Sequence, residues 1–119
     1  MDVMSAKENQ GTANNPLIGK TVVITYETGF PGTSVEINFI SDSQKTSTGR
    51  GASEGYSATD NYEMAVVAPN IYMVSWTGNE DGHVVTAVWN FDDMKAYGSY
   101  SNPEPKRVFM TGIINEIRG

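Results

Sequence analysis

From Pro16 onward the apolar residues of this chain recur at every second position, and no window of a dozen residues keeps an apolar stripe at helical spacing. Such alternation marks a strand with one face in a core and the other in water. It predicts eight strands: Lys20 to Glu27, Thr33 to Ile40, Gln44 to Arg50, Ser57 to Ala68, Ile71 to Thr77, His83 to Phe91, Met94 to Tyr100 and Arg107 to Ile117. The clearest pair lies between Ile71 and Phe91. Tyr72, Val74 and Trp76 share one face of the first run, and His83, Val85, Ala87, Trp89 and Phe91 share one face of the second. The polar turn Gly78, Asn79, Glu80, Asp81, Gly82 joins them into a hairpin with an aromatic inner face. The same rule turns Val22, Ile24, Tyr26, Val35, Ile37 and Phe39 inward and leaves Glu36 and Asn38 outside.

The links between strands are short and carry turn residues: Gly29 to Gly32 around Pro31, Ser41 to Ser43 around Asp42, Pro69 with Asn70, and Asp92 with Asp93. Short links join antiparallel neighbours, because a parallel crossover needs a dozen residues or more. The expected architecture is therefore all-β, an eight-stranded antiparallel up-and-down barrel, which leaves no open edge and can enclose one small ligand. Residues 1–15 read as a flexible N-terminal arm, and residues 16–119 as a single barrel domain. Thr46 to Ser57 is rich in Ser, Gly and Thr and predicts a mobile loop at the barrel mouth. In the last strand Phe109, Ile113 and Ile117 alternate with Met110 and Ile114, so both faces are apolar. The outer one then needs cover from the arm or from a second copy in a homodimer.

Composition narrows the chemistry. The absence of cysteine excludes disulfides, thiolate metal sites and cysteine nucleophiles, and a single histidine, His83, excludes a histidine-rich zinc site. The adjacent Asp92 and Asp93 read as a turn rather than a metal site. No metal and no cofactor are expected. A formal charge of −6 repels a nucleic acid backbone. No run approaches the roughly 20 apolar residues of a membrane helix, and the N-terminal residues lack the apolar core of a secretory signal. The expectation is a soluble, cytoplasmic protein that binds neither nucleic acid nor membrane.

His83 is the one side chain whose ordinary pKa lies near neutrality, and alternation puts it on the inner face at the start of a strand. It is the candidate acid or base, with Tyr26 and Glu80 as helpers; the plainer reading is a hydrogen-bonded histidine at a strand end. Trp76, Trp89, Tyr72 and Phe39 offer the flat apolar area on which an aromatic ligand stacks, or they simply fill a small barrel. Tyr56, Asp60, Tyr62 and Glu63 are candidates for polar groups over the mouth, with solvated strand residues the simpler reading. Gly49, Gly51 and Gly55 make no dinucleotide site because no helix follows them. No serine sits in a strand-turn-helix elbow either.

Ile24 to Glu27 followed by Gly29 and Phe30, then Val35, Glu36 and Ile37, and later Ile71 to Thr77, resemble the small calycin (lipocalin-like) barrels of the MoaF-like group and their relatives, the bacterial phenolic acid decarboxylases. The resemblance runs from about Gly19 to Gly98. It implies the barrel fold. In the decarboxylases two tyrosines on the first strand, an arginine and a glutamate handle the phenolic acid. The first tyrosine position is Ile24 here and only Tyr26 matches; the glutamate corresponds to Gly78, and the arginine falls near Gly55 or Tyr56. Decarboxylase activity is therefore not expected. Arg50 is the nearest replacement in sequence for the arginine.

The residues together point to a barrel that binds a small, largely apolar or aromatic molecule through Tyr26, Val35, Ile37, Phe39, Tyr72, Val74, Trp76, His83, Val85 and Trp89. Two alternatives stand beside this. One is an enzyme of the same architecture, an isomerase, dehydratase or divergent decarboxylase, using His83 and Tyr26 for proton transfer. The other is an interaction module that dimerises through the last strand.

Overall fold

The computed structural model describes residues 15–78, 82–104 and 106–119. Among these, eight strands follow one another around a closed barrel: β1 (Thr21–Thr28), β2 (Thr33–Phe39), β3 (Gln44–Gly51), β4 (Ser57–Ala68), β5 (Ile71–Thr77), β6 (Val84–Asn90), β7 (Lys95–Asn102) and β8 (Lys106–Arg118). Each strand pairs antiparallel with its neighbour in sequence, and β8 returns to β1 to close the circle. Closure gives every strand two partners and removes the exposed edge that invites aggregation.

Alternation sets the inner face. Val22, Ile24, Ile37, Phe39, Val74, Val85, Ala87 and Trp89 are all buried, as the period of two requires. Phe39 sits edge-on to both Tyr62 and Trp89, with ring centroids 5.0 and 5.8 Å apart. These rings, with Ile24 and Ile114, fill one end of the barrel.

That end is sealed by residues just before β1. The backbone turns from Asn15 to Lys20, and Leu17 is pushed into the core. Asn15 Nδ2 donates to the Tyr62 hydroxyl at 2.6 Å, and that hydroxyl donates to the Ser41 carbonyl at 2.6 Å. Burial pushes the Tyr62 phenol up from its ordinary pKa, and the bond from Asn15 partly offsets this. Asn15, read from the sequence as the end of a flexible arm, is instead a buried part of the barrel. The rest of the predicted arm, residues 1–14, lies outside the described residues.

The stretch predicted to be a mobile mouth loop is mostly strand. β3 pairs residue by residue with β2 from Thr33↔Gly51 to Phe39↔Lys45, and with β4 from Gln44↔Asn61 to Thr48↔Ser57. Only residues 52–56 form a turn. The physical reason is a polar inner face: Lys45, Ser47 and Gly49 point into the barrel, so the register is held by polar groups where an apolar pattern was absent. Arg50 points the other way. It donates through Nε and Nη2 to Glu36 Oε2 at 3.0 and 2.7 Å, and Arg118 completes the cluster from β8. Both guanidinium bonds hold the Glu36 carboxyl below its ordinary pKa. Arg50 is thus an outer-surface partner of Glu36, not a replacement for a cavity arginine.

Candidate functional site

At the end opposite Leu17 the core is incomplete. There the strands leave a cavity of about 300 Å³ inside the barrel wall. Tyr26 of β1, Val35 of β2, Ser47 of β3, Trp76 of β5, Val85 of β6 and Tyr100 of β7 converge on it, and His83 enters from the link before β6. With Met110 of β8, seven of the eight strands contribute a side chain to one space, as the closed topology dictates.

The rim is aromatic. The His83 ring stacks on Tyr100 with centroids 5.2 Å apart and planes 24° from parallel, and Phe30 meets the same tyrosine edge-on at 5.3 Å. Gly78 makes the histidine's position possible. A β-carbon on residue 78 would fall inside the imidazole, and Gly78 and His83 are tied by a backbone bond of 2.7 Å. At Gly112 a β-carbon would meet the Thr25 carbonyl oxygen at 2.7 Å and the Tyr26 backbone and ring at 3.2 Å, so the bare backbone there lets β1 approach β8 beside Tyr26. Desolvation pushes the Tyr26 phenol up to about 12, so its hydroxyl stays protonated at neutral pH and is able to donate a hydrogen bond.

The floor carries a charge pair. Lys45 and Asp60 face each other across β3 and β4, with both side chains shielded from solvent and Nζ 3.2 Å from Oδ2. Nζ also donates to Ser47 Oγ at 2.6 Å and lies 3.8 Å from the centroid of the Trp76 ring. Burial pushes the Lys45 ammonium down to about 8, and Asp60 opposes that shift by attraction and by accepting its hydrogen bond. A buried ion pair of this kind is held by completeness: each charge loses water, and the partners replace it. The pair itself does not line the cavity; Ser47 and Trp76 do.

Of the residues singled out in the sequence for ligand contact, Tyr26, Val35, Trp76, His83 and Val85 line this cavity. Ile37, Phe39, Tyr72, Val74 and Trp89 face inward but belong to the packed core away from it. Asp60 and Tyr62, for which solvation was the simpler reading, are buried, while Tyr56 stands half-exposed at the mouth and Glu63 is exposed. Glu80, the proposed helper of His83, lies outside the described residues. Sequence reasoning missed Lys45 and Ser47. The signal was present in their i, i+2 spacing opposite Asp60, yet a lysine on a polar strand reads by default as a solvated one. Among the described residues no group of three His, Cys, Asp or Glu side chains could hold a metal, and no helix is long and apolar enough to cross a membrane.

A larger cleft, about 450 Å³, lies on the outer surface over β6, β7 and β8. It is an open groove between Val88, Tyr97 and Phe109 rather than barrel interior, and it contains none of the inward chemistry.

Comparison with known proteins fits this architecture. A model of the MoaF-like proteins matches residues 18–115. The chain belongs to the MoaF-like family. Among solved structures, the MoaF-like barrel is similar to one titled "Crystal Structure of a putative beta-lactamase from Burkholderia vietnamiensis", with 18% identity, a TM-score of 0.76, and coverage of 90% of this chain and 98% of that one. At that identity the likeness is one of fold. No curated protein matches the MoaF-like chain in sequence.

Proposed function

We propose that this MoaF-like barrel binds a small, flat, largely apolar molecule in its open end. The observation that carries the reading is the open-mouthed cavity of about 300 Å³, walled by Trp76, Tyr100, Tyr26 and His83. That volume is at the small end of ligand sites, and aromatic walls with a few fixed hydroxyls suit an aromatic guest. Thermal-shift screening of small aromatic compounds tests it, since a ligand bound only by the folded state raises apparent stability by mass action. A hit should also change tryptophan emission. In Trp76→Phe, where Trp89 alone reports from the packed core, that change should vanish. A well-sampled aromatic set that produces no shift overturns the proposal.

Proton-transfer catalysis in the same cavity is the second reading, favoured by one observation: His83 and the protonated Tyr26 line one space. His83→Ala should then abolish turnover while ligand binding persists; unchanged turnover overturns it. Nothing in the floor supports acyl transfer by Ser47, because Asp60 holds Lys45 as a proton donor to Ser47, and the strands on both sides of β3 occupy its backbone.

We also infer that two copies meet through the outer faces of β7 and β8. Phe109 is 80% exposed, Tyr97 and Ile113 flank it on the same face, and the groove beside it has no charged lining, so two acidic chains would not repel there. Sedimentation of the native chain against Phe109→Asp tests this. A monomer at all concentrations overturns it.

A further inference from the structure

The hydroxyl of Ser47 is the one polar group in the cavity floor whose direction is set by its neighbours. Lys45 Nζ donates to Ser47 Oγ at 2.6 Å, which occupies a lone pair of that oxygen and leaves the hydroxyl proton to point elsewhere. Ser47 is 3% exposed, lines the cavity, and among the described residues no acceptor takes its proton. A buried hydroxyl with an ammonium behind it is a strengthened donor, because hydrogen bonds in a chain polarise one another. The charge behind it is already matched. Asp60 lies 3.2 Å from the same ammonium, so the floor has a donor but no spare positive charge. No lysine or arginine lines the cavity.

Resting on the reading of this cavity as an aromatic-binding site, the geometry points to a ligand class: a neutral planar molecule with a carbonyl-type acceptor oxygen, taken in oxygen-first onto Ser47. A hydrocarbon of the same shape leaves the Ser47 proton buried without an acceptor, which carries the desolvation penalty of an unmade bond. A carboxylate meets the reverse difficulty. It must shed its water beside a floor whose ammonium is neutralised and whose nearest anion, Asp60, repels it. Aromatic ketones, aldehydes and amides satisfy both conditions.

The probes are a matched set, 2-acetonaphthone, 2-ethylnaphthalene and 2-naphthoate, titrated into the full chain at neutral pH and followed by tryptophan emission and calorimetry. The ketone should bind about tenfold tighter than the hydrocarbon, the equivalent of one hydrogen bond, and tighter still than the acid. Ser47→Ala should erase the advantage of the ketone over the hydrocarbon, chiefly by tightening hydrocarbon binding once no hydroxyl is left without an acceptor, while Ser47→Thr, which keeps the hydroxyl, should retain it. Circular dichroism and melting establish that each variant folds; if Ser47→Ala does not, the three-probe ranking on the native chain decides alone. Equal binding of ketone and hydrocarbon, or a ketone preference that survives in folded Ser47→Ala, overturns the inference and leaves the cavity reading standing. Tightest binding by the naphthoate also overturns it, and would assign the recognition to His83. If none of the three binds, the cavity reading falls and takes the ligand class with it.

Discussion

Gly78 and His83 share one volume: the imidazole of residue 83 lies where any β-carbon of residue 78 would be. The bare backbone at 78 is therefore a condition for the stack of His83 on Tyr100 at 5.2 Å, and the two positions function as a unit. Gly78→Ala should expel the ring from its place. The expected result is a loss of about 1 to 3 kcal/mol of stability, typical of overpacking, together with a change in the His83 imidazole resonances in the NMR spectrum. Unmoved resonances in a fully stable variant would contradict the shared volume.

Lys45 and Asp60 stand or fall together. Lys45→Met leaves a buried carboxylate without its counterion and should destabilise the barrel by about 3 to 5 kcal/mol. Adding Asp60→Leu should recover most of that loss, since two apolar side chains replace two desolvated charges. Urea denaturation of both variants measures the difference. A double variant as unstable as the single one would show that the pair matters for something other than mutual neutralisation.

The same lysine gives stability a pH dependence of unusual sign. Its proton leaves at about 8 in the folded chain and at the ordinary 10.5 in the unfolded one, so between those values the unfolded state holds the extra proton. Stability should rise with pH across that window, because the penalty of a buried charge, fully present below it, is relieved there. Tyr26 works against this at higher pH. Its phenol ionises from 10 when unfolded and only at about 12 when folded, so the folded state then holds the extra proton and stability falls. Urea midpoints measured either side of the lysine window should show the gain in the native chain, and Lys45→Met/Asp60→Leu should lose it.

Leu17 seals the packed end, and Leu17→Ala should cost about 2 to 5 kcal/mol, as for other large-to-small changes in a core. Aromatic probes enter at the other end, so their affinity for the folded variant should stay within a factor of about two, as expected for well-separated sites. Calorimetric melting and the probe titration, run side by side, separate the two effects.

The barrel itself was legible because its inner residues are apolar at a strict period of two; Val22, Ile24, Ile37, Phe39, Val74, Val85 and Trp89 are where alternation puts them. His83 followed from the same rule. What escaped was the part of the interior built from polar residues. Lys45, Ser47 and Asp60 face inward, and a pattern rule that equates polar with outside turns them to water. Asn15 and Leu17 escaped for a related reason: Leu17 and Ile18 are adjacent apolar residues with no period to tell which one is buried, and Asn15 is held by a tertiary bond to Tyr62. Trp76 and Trp89 look alike in sequence, yet one faces space and the other faces Phe39 and Phe91, a difference set by how far each lies from the sealed end.

Among the described residues Leu17 corks one end, and the cavity opens at the other beside His83, Phe30 and the 52–56 turn. For the guest we propose, entry and exit share that one opening, so its residence time is set at the mouth and not by the packed end. Substitutions of exposed residues in the 52–56 turn should therefore alter residence time more than the packing of the sealed end.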